Sequence, residues 1–420
     1  MSKRIYRAVE VKDLDLEAMS RKWSGQRVVI GLDIAKHTMV AAVMTSPDEV
    51  EVTMKWTHLE SSRSWVSWLS SLDHCELVME PSGTYGDSLR NALMAEGIEV
   101  YRVSPKQVHD AYEIYDGVSS SHDGKSAATI AWLHWVGRST LWQEGSEHER
   151  ELQAAVKLMS MHSDSFRQVQ NRLEAQLSRC WPEVLEILEL DSASLLELLA
   201  CIGGPESIHQ NRAEARQLLV SVGGPLLSQE KVDRVLSTAG QTLGQPLLAA
   251  EEQGLRLLAE EGRHQRRARR RAQLWVEKLT RCCPVSSRLG AQVGAVTAAV
   301  LTADLGSLDR YTSPRRLLKA AGLNLKERSS GRRQGQLAIT KRGPSRTRQY
   351  LYLAALRWIQ KDRIAKAWYE AKVARDGGRR RRRAVIAVSR KLLTGLLWVA
   401  RGEAFDSRKL FDTNRLGLSV

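Results

Sequence analysis

Three acidic residues could do chemistry together, and the first two of them stand at points of this chain where a carboxylate is costly. Asp33 interrupts the apolar run VVIGLDIAKHTMVAAV, Glu80 ends the run ELVME, and Asp123 shortly precedes the stretch SAATIAWL. A charge in apolar surroundings is unfavourable unless it is paired, hydrogen-bonded or bound to a metal ion. Carboxylate oxygens from separate elements suit Mg²⁺, a hard cation that keeps water or phosphate oxygens in its shell. The first hypothesis is therefore metal-assisted phosphodiester chemistry.

The elements predicted around these acids would bring them together. Strands are predicted within 27–44, as a hairpin with Asp33 on its first strand, and at 49–56, 76–79 and 100–103, with helices at 61–72 and 85–96. This order is that of a ribonuclease-H-like α/β sheet. Open α/β sheets bind ligands at the carboxyl ends of strands, where Glu80 is expected, with Asp33 beside it. Asp123 would approach from a helix at 125–136; the alternative is that Asp33 caps a turn and Asp123 caps that helix.

The chain carries a large excess of positive charge. Its 420 residues include 63 Lys and Arg against 48 Asp and Glu, a formal net charge of +15. Because Lys and Arg that neutralise phosphates release counterions, this charge favours nucleic acid as a partner over a membrane surface. A basic surface that only keeps the protein soluble is the alternative.

Cysteine usage and hydropathy place the protein inside the cell. The five cysteines are scattered and lack CxxC spacing, which predicts neither a zinc site nor a disulfide framework. No apolar run approaches the length of a membrane span. We therefore expect a soluble protein of the cytoplasm that does not bind membranes.

The middle of the chain is predicted to be helical and basic. An apolar stripe at 147–180 predicts a long amphipathic helix, either an oligomerisation or spacer arm or one half of an intradomain helical pair. A second helix at 247–279 contains RHQRRARRRAQ, and a run of arginines opens a helix at 384–400. Guanidinium groups bind phosphate bidentately, although a solvated helix face is the alternative. The arginines proposed to contact nucleic acid here are Arg266, Arg267, Arg269, Arg270, Arg271, Arg380, Arg381 and Arg382.

The last third holds a second chemical element. A polar loop with Ser329, Ser330 and Gly331 is predicted after a helix at 315–321, and a short strand-like segment, LAIT, and a helix at 346–360 are predicted to follow it. A serine hydroxyl beside guanidinium groups is typical of an activated nucleophile in a phosphate pocket. Serine and glycine are also ordinary loop residues, so the residues alone leave both interpretations open. The basic residues around this loop are Arg328, Arg332, Arg333, Lys341 and Arg342.

Two blocks of the sequence resemble one known family. GLDIAKHTMVAAV, VMEPSGTYGDSLRNALMAEGIEVYRVSPKQV and HDGKSAATIAWL are similar to the RuvC-like acidic domain of insertion-sequence transposases of the one-ten type, the DEDD transposases related to the Piv DNA invertase. Residues 293–355 are similar to the C-terminal domain of the same transposases.

The resemblance implies a role for each site residue. Asp33, Glu80 and Asp123 are implied to bind Mg²⁺ or Mn²⁺. The family's fourth acid lies three residues after the third, where this chain has Ser126, which could ligate through its hydroxyl or through water. The family's serine nucleophile matches Ser330, immediately before a glycine, with Ser329 as the alternative.

The expected architecture follows from these blocks. It consists of an α/β ribonuclease-H-like (RuvC-like) domain at 24–145, a helical, partly coiled-coil-like basic region at 146–285, a mainly α-helical transposase domain with the serine loop at 286–402, and a tail at 403–420.

The expected function is that of a DNA transposase or site-specific recombinase of a bacterial nucleoid. The acids would hold the scissile phosphate through metal, and Ser330, from the same or a neighbouring protomer, would attack it. The partners expected are DNA, further copies of the chain in a dimer or tetramer and, if the chain is a guided member, a bridge RNA that selects sequence by base pairing. Three alternatives stay open: a ribonuclease-H-like nuclease or junction resolvase that uses water, a non-enzymatic nucleic-acid-binding protein, and an inactive transposase remnant.

Overall fold

A computed structural model of the chain describes residues 6–81, 83–330 and 333–417. The chain forms two compact units, Met1–Glu144 and Gly145–Val420. The elements of the first unit are β1 (Val9–Glu10), α1 (Leu16–Lys22), β2 (Val28–Ile34), β3 (Thr38–Met44), β4 (Val50–Thr57), α2 (Ser62–Leu69), β5 (Cys75–Met79), α3 (Asp87–Ala95), β6 (Glu99–Arg102), α4 (Pro105–Asp116), α5 (Asp123–Trp135) and β7 (Thr140–Leu141).

One mixed sheet organises the first unit. Its strand order is β1-β4-β3-β2-β5-β6-β7. The strands β2, β3 and β4 form an antiparallel meander, and β5 and β6 run parallel to β2. The central strand β2 is buried almost throughout, because apolar clusters lie on both of its faces and helix α5 packs against it. This arrangement confirms the predicted ribonuclease-H-like fold class.

Helix α4 was not predicted from the sequence. Pro105 occupies the first turn, where its missing N–H and fixed φ favour a helix start. Gly117 ends the helix with φ +75°, a left-handed conformation that glycine adopts without strain. Both signals are present in the sequence, but the short apolar spacing between them resembles a loop.

The second unit is helical apart from one hairpin, within the residues described. Its elements are α6 (Glu147–Cys180), α7 (Ala193–Cys201), α8 (Pro205–Gln210), α9 (Arg212–Gly223), α10 (Gln229–Gly240), α11 (Ala249–Cys282), α12 (Pro284–Val293), α13 (Ala295–Leu305), α14 (Pro314–Ala320), β8 (Leu325–Ser330), β9 (Arg333–Ile339), α15 (Ser345–Lys361), α16 (Arg363–Arg375) and α17 (Arg381–Ala400), joined by short 3₁₀ turns. In the described ranges of both units, no helix combines the length and apolar character needed to cross a membrane.

The two 34-residue helices α6 and α11 pack along each other. Phe166 and Val169 of α6 share a buried cluster with Leu255 of α11, and Leu152 shares a second cluster with Val276. Burial of apolar side chains along the contact between these two helices is the main contribution to the stability of the pair. The stripe predicted on α6 therefore serves an intradomain helical pair, one of the two arrangements expected from the sequence.

The start of α6 is fixed by the buried carboxylate of Glu149. It forms a capping box with Ser146, accepts a hydrogen bond from the Ser307 amide at 3.1 Å, and lies 3.2 Å from the Arg310 guanidinium. Burial acts to raise the pKa of Glu149, but these hydrogen bonds and the arginine outweigh it and lower the pKa below its ordinary value of 4.5. The ionised carboxylate therefore stabilises the second unit.

Glu149→Gln is expected to destabilise the second unit by about 1–3 kcal/mol at pH 7, since it removes charge-assisted hydrogen bonds in a buried position. A lowered folded-state pKa gives stability that is present above pH 4.5 and is lost as the pH falls through the folded value. The difference from the native protein should therefore shrink in urea unfolding curves as the pH falls below 4.5 and through the lowered folded-state pKa. The exposed Glu147→Gln, two residues earlier, is the control, and an equal loss from both variants would contradict the assignment.

Candidate active site

Strand register places Asp33 and Glu80 side by side. In the parallel pair of β2 and β5, Leu32 is opposite Met79. Asp33 and Glu80 follow these partners directly, so they occupy matching positions at the carboxyl ends of neighbouring strands, which lie about 4.8 Å apart. Both side chains are partly exposed. This confirms the predicted placement of the two acids at the carboxyl ends of neighbouring strands.

Helix α5 brings two further residues to the same edge. A Cβ atom added to Gly31 of β2 would lie 2.0 Å from the carbonyl oxygen of Ala127 and 2.9 Å from the Cβ of Ala131. The absent side chain is therefore what allows α5 to lie directly on β2. Asp123 and Ser126 occupy the first turn of α5, just before this contact.

Asp123 is not the N-cap of α5, as the alternative interpretation required. The N-cap is His122, whose side chain accepts a hydrogen bond from the amide of Lys125. Asp123 is the first residue of the helix and is exposed. The negative charge of Asp123 in the first turn is favourable beside the helix dipole. Because its side chain is exposed, a ligand can reach it.

The carboxylates act on each other electrostatically. Burial and the neighbouring Asp123 carboxylate raise the pKa of Asp33, while hydrogen bonds from the Ile34 backbone and from Ser126 partly offset the rise. Burial and the Asp33 carboxylate likewise raise the pKa of Glu80. Asp33 is therefore the central member of the set, in electrostatic contact with both other acids.

Ser126 joins the site through hydrogen bonds. It is buried, its hydroxyl lies 2.9 Å from the Tyr112 hydroxyl, and its side chain acts on Asp33 by lowering the pKa of that carboxyl. If Ser126 donates to Asp33, the Tyr112 hydroxyl is the donor to Ser126. Tyr112, on α4, was not predicted as a site residue. Its contribution depends on the packing of two helices, which the sequence does not reveal.

A buried ammonium fixes the segment before Asp123. Lys125 is 1% exposed, and its Nζ donates to the Asp116 carboxylate at 2.6 Å and to the Val118 carbonyl at 2.5 Å. Tyr6 donates to the same carboxylate at 3.3 Å. A buried ion pair of this kind loses several kcal/mol when one partner is removed. Lys125 therefore positions the helix start from which Asp123 projects.

The oxygen donors at this end of the sheet are of the chemical type that a hard divalent cation takes. Three carboxylates and one hydroxyl offer oxygen atoms, and the neighbours that raise the pKa values of Asp33 and Glu80 are other carboxylates, whose repulsion a cation would relieve. Over residues 6–81, 83–330 and 333–417, no group of three or more His, Cys, Asp or Glu side chains lies close enough together to hold a metal ion. Mg²⁺ commonly binds through few carboxylates and completes its shell with water or phosphate.

Gly31→Ala is expected to move α5 and to weaken the site. The added methyl group would overlap the Ala127 carbonyl, so the first unit should lose about 1–3 kcal/mol of stability. Displacement of Asp123 should also reduce Mn²⁺ affinity, measured by calorimetry. Gly254→Ala on α11 is the control, since nothing lies within 4 Å of the added atom. Unchanged stability and affinity of Gly31→Ala would contradict this role of the glycine.

The second unit presents the predicted serine on a hairpin. The predicted polar loop at Ser329 and Ser330 is wrong, because the backbone there is strand β8, paired antiparallel with β9. Between the pairs Arg328/Gln336 and Ser330/Arg333, β9 contains one extra residue, a β-bulge at which Gly335 has φ +72°. The polar sequence concealed the strand, and the side chains of the hairpin that the structure describes at Leu325, Lys326, Glu327, Leu337 and Ala338 are exposed.

Some predicted contacts lie outside the described residues. These are all of Arg332, and the side chains of Arg328, Ser329, Ser330 and Arg333. Ser330 is therefore placed by its backbone, at the end of β8. Lys341 and Arg342, in the turn after β9, are exposed.

The arginines of α11 form a partly neutralised basic surface. Arg263 and Arg267 share the carboxylate of Glu197, and Arg270 lies 3.8 Å from Glu277. Further members are Arg266, which donates to the Asp191 carbonyl, Arg269, which stacks over the Phe166 ring at 4.8 Å, and Arg271. These residues line an open concavity of about 890 Å³. Because cations outnumber carboxylates there, the surface remains attractive to phosphate.

The arginine run at α17 lies against a helix start. Arg380 is the N-cap, and Arg381, Arg382 and Arg383 form the exposed first turn. Cations at a helix N-terminus oppose the helix dipole, whereas a bound phosphate would interact favourably with both. This arrangement is typical of a site that meets an anion.

Two family models match parts of this chain. The family model DEDD_Tnp_IS110, described as a transposase, matches residues 30–182, and the model described as the transposase IS116/IS110/IS902 family matches residues 292–370. The structure of T. thermophilus RuvC in complex with Holliday junction substrate is similar at 12% identity and a TM-score of 0.22, over 28% of this chain and 100% of that chain. No curated protein matches significantly. The family matches contain the acidic set and the serine hairpin and together span more than half of the sequence, so the chain belongs to the IS110 family of transposases.

Proposed function

We propose that this transposase cuts and rejoins DNA by transesterification, with Ser330 as the nucleophile and Asp33, Glu80 and Asp123 as metal-binding acids. Membership of the family makes it a DNA transposase. The observation that carries the finer proposal is the electrostatic coupling of Asp33 to both other acids at the end of two strands. Such coupling in a partly open site is characteristic of functional carboxylates.

The three carboxylates would hold the scissile phosphate through the cation that they bind. When bound, Mg²⁺ or Mn²⁺ supplies Lewis-acid stabilisation of the charge on the phosphate oxygens. Asp33 and Glu80 fix the position from the sheet, and Asp123 closes the set from α5. Ser126, held by Tyr112, keeps the Asp33 carboxylate oriented through its hydrogen bond.

The serine step conserves the phosphodiester bond energy. The Ser330 oxygen would form a bond to phosphorus while the bond from phosphorus to one sugar oxygen breaks. The serine gives up its proton, and the freed sugar oxygen takes one up. A sugar hydroxyl of another strand can then attack the phosphoserine and release the serine, so exchange requires no ATP. Arg328, Arg332 and Arg333 would offset the negative charge that develops on phosphorus-bound oxygens.

The basic surfaces would position the polynucleotides. Backbone contacts from the arginines of α11 and α17 fix register without selecting sequence, which suits recognition delegated to base pairing with a bridge RNA. Concerted cutting of several strands requires several serines, hence a dimer or tetramer.

Strand exchange on a plasmid that carries the element's ends tests this proposal. The native protein should give exchanged product only when Mg²⁺ or Mn²⁺ is supplied, and chelation with EDTA should stop it. A junction resolvase that uses water would instead release nicked or linear plasmid without resealed product. Exchange that persists in EDTA would contradict the metal-binding role of the acids.

A further inference from the structure

A groove lies between the serine hairpin and helices α16 and α17, within the second unit. It encloses about 460 Å³, in the range of small-molecule sites. Strand β9 and the first residue of β8 form one wall, and the first half of α17 forms the other. The sequence motifs propose nucleic-acid contact for one of its lining residues, Arg380, but neither they nor the family resemblance assigns a role to the groove itself.

One wall of the groove is apolar although it faces solvent. Leu325 and Leu337 are 41% and 53% exposed, and both belong to the same face of the hairpin, since Leu325 pairs with Ile339 and Glu327 with Leu337. Ile386 of α17 extends this surface. Leucines left open to water beside polar strands indicate a surface that is covered when a ligand binds.

The other wall is cationic. Arg380, Arg383 and Arg390 line it, together with Lys372, whose ammonium is bound 2.6 Å from Asp376. Among the described residues, Arg383 has no carboxylate partner, and the buried Nε of Arg390 has no hydrogen-bond partner. Burial lowers the pKa of Arg390. A guanidinium desolvated in this way gains from an anion within reach.

An apolar surface opposite unpaired guanidinium groups matches one ligand chemistry. A nucleotide has a flat base that can pack on apolar side chains and a phosphate that guanidinium groups bind. A base paired within a duplex cannot enter a groove of this size, so the nucleotide must be unpaired.

We propose that this groove holds an unpaired DNA nucleotide close to the scissile phosphate, with its base against Leu325 and Leu337 and its phosphate at Arg383 and Arg390. The assignment to DNA rests on the proposed function, because Ser330, which attacks DNA, ends β8, and the first residue of β8, Leu325, lines the groove. Holding an extruded nucleotide would keep the cut end from re-pairing before exchange.

Three probes separate the base from the backbone. They are a single strand of twelve thymidine nucleotides, an abasic strand of the same length, and a duplex of about twelve base pairs. Binding of each probe to the full-length protein is measured at about 0.2 M salt, which reduces non-specific contacts. Leu337→Ser should weaken binding of the thymidine strand about fivefold and leave the other two unchanged. Leu257→Ser, a leucine of similar exposure on α11, is the control and should change none.

Charge is tested with neighbouring arginines. Arg383→Gln should weaken both single strands more than the duplex, whereas Arg382→Gln, one residue away and outside the groove, should weaken all three by similar factors. A Leu337→Ser loss shared equally by the abasic strand, or no loss at all, would overturn the proposal.

Crosslinking locates the base directly. A thymidine strand with one 5-iododeoxyuridine should crosslink, on irradiation, to peptides that contain Leu337 or Ile386. Crosslinks found only on the α11 arginines would contradict the groove, and an RNA strand that crosslinks there in preference to DNA would contradict the assignment to DNA. Because no strand is cut in these measurements, they can fail while Ser330 remains the nucleophile, and they can succeed if it is not.

Discussion

Ser330→Ala is expected to abolish strand exchange, with a loss on the order of 10³-fold or more, because removal of a covalent nucleophile leaves only binding and charge stabilisation. DNA affinity should stay within about twofold of the native value, since the hydroxyl contributes no net charge to phosphate binding. Exchange of a plasmid substrate and gel-shift titration of the same DNA measure the two effects separately.

The neighbouring serine provides the matched control. Ser329→Ala changes the same chemical group one residue earlier on β8. It should retain exchange, whereas inactivity of Ser329→Ala with an active Ser330→Ala would move the nucleophile to Ser329. Cutting that persists without exchange in Ser330→Ala would instead favour a nuclease that uses water.

Asp33→Asn is expected to have two opposite effects. Activity should fall on the order of 10³-fold, because Asp33 is the acid that both others contact electrostatically. In EDTA, however, the first unit should become more stable, because the neutral amide removes the burial cost and the carboxylate repulsion that raise the Asp33 pKa. Each kcal/mol gained would raise the melting temperature by about 2–4 °C.

Melting curves with and without Mn²⁺ separate metal binding from folding. The native protein should gain stability as Mn²⁺ is added, whereas Asp33→Asn should gain little. Asp48→Asn, at an exposed position of the same unit, should behave like the native protein. A native-like response of Asp33→Asn to Mn²⁺ would remove Asp33 from the metal site.

The sheet and its two acids could be predicted because their signals are local. The continuous runs of β-branched and other apolar residues predict β2 and β3, and a strand followed directly by Glu80 places this residue at the carboxyl end of the strand. The long helices α6 and α11 were predictable for the same reason, since their apolar spacing persists over many turns.

The partners of those acids depend on tertiary packing instead. Tyr112 reaches Ser126 only because α4 packs on α5, and Lys125 is buried only because the chain between these helices folds back over it. No spacing rule connects such residues. Strand β8 was missed for a different reason, although the strand-like LAIT at the end of β9 was predicted. The hairpin carries polar residues on both faces, so the period of two that reveals a buried strand is absent.

The most direct measurement is mass spectrometry of the covalent protein–DNA product trapped by denaturing the reaction before strands reseal. We expect one phosphodiester-linked adduct on the peptide that contains Ser330, formed only with Mg²⁺ or Mn²⁺ and absent from Asp33→Asn. Complete strand exchange without any such adduct, or an adduct on a residue other than Ser330, would contradict the joint action of the serine and the three acids.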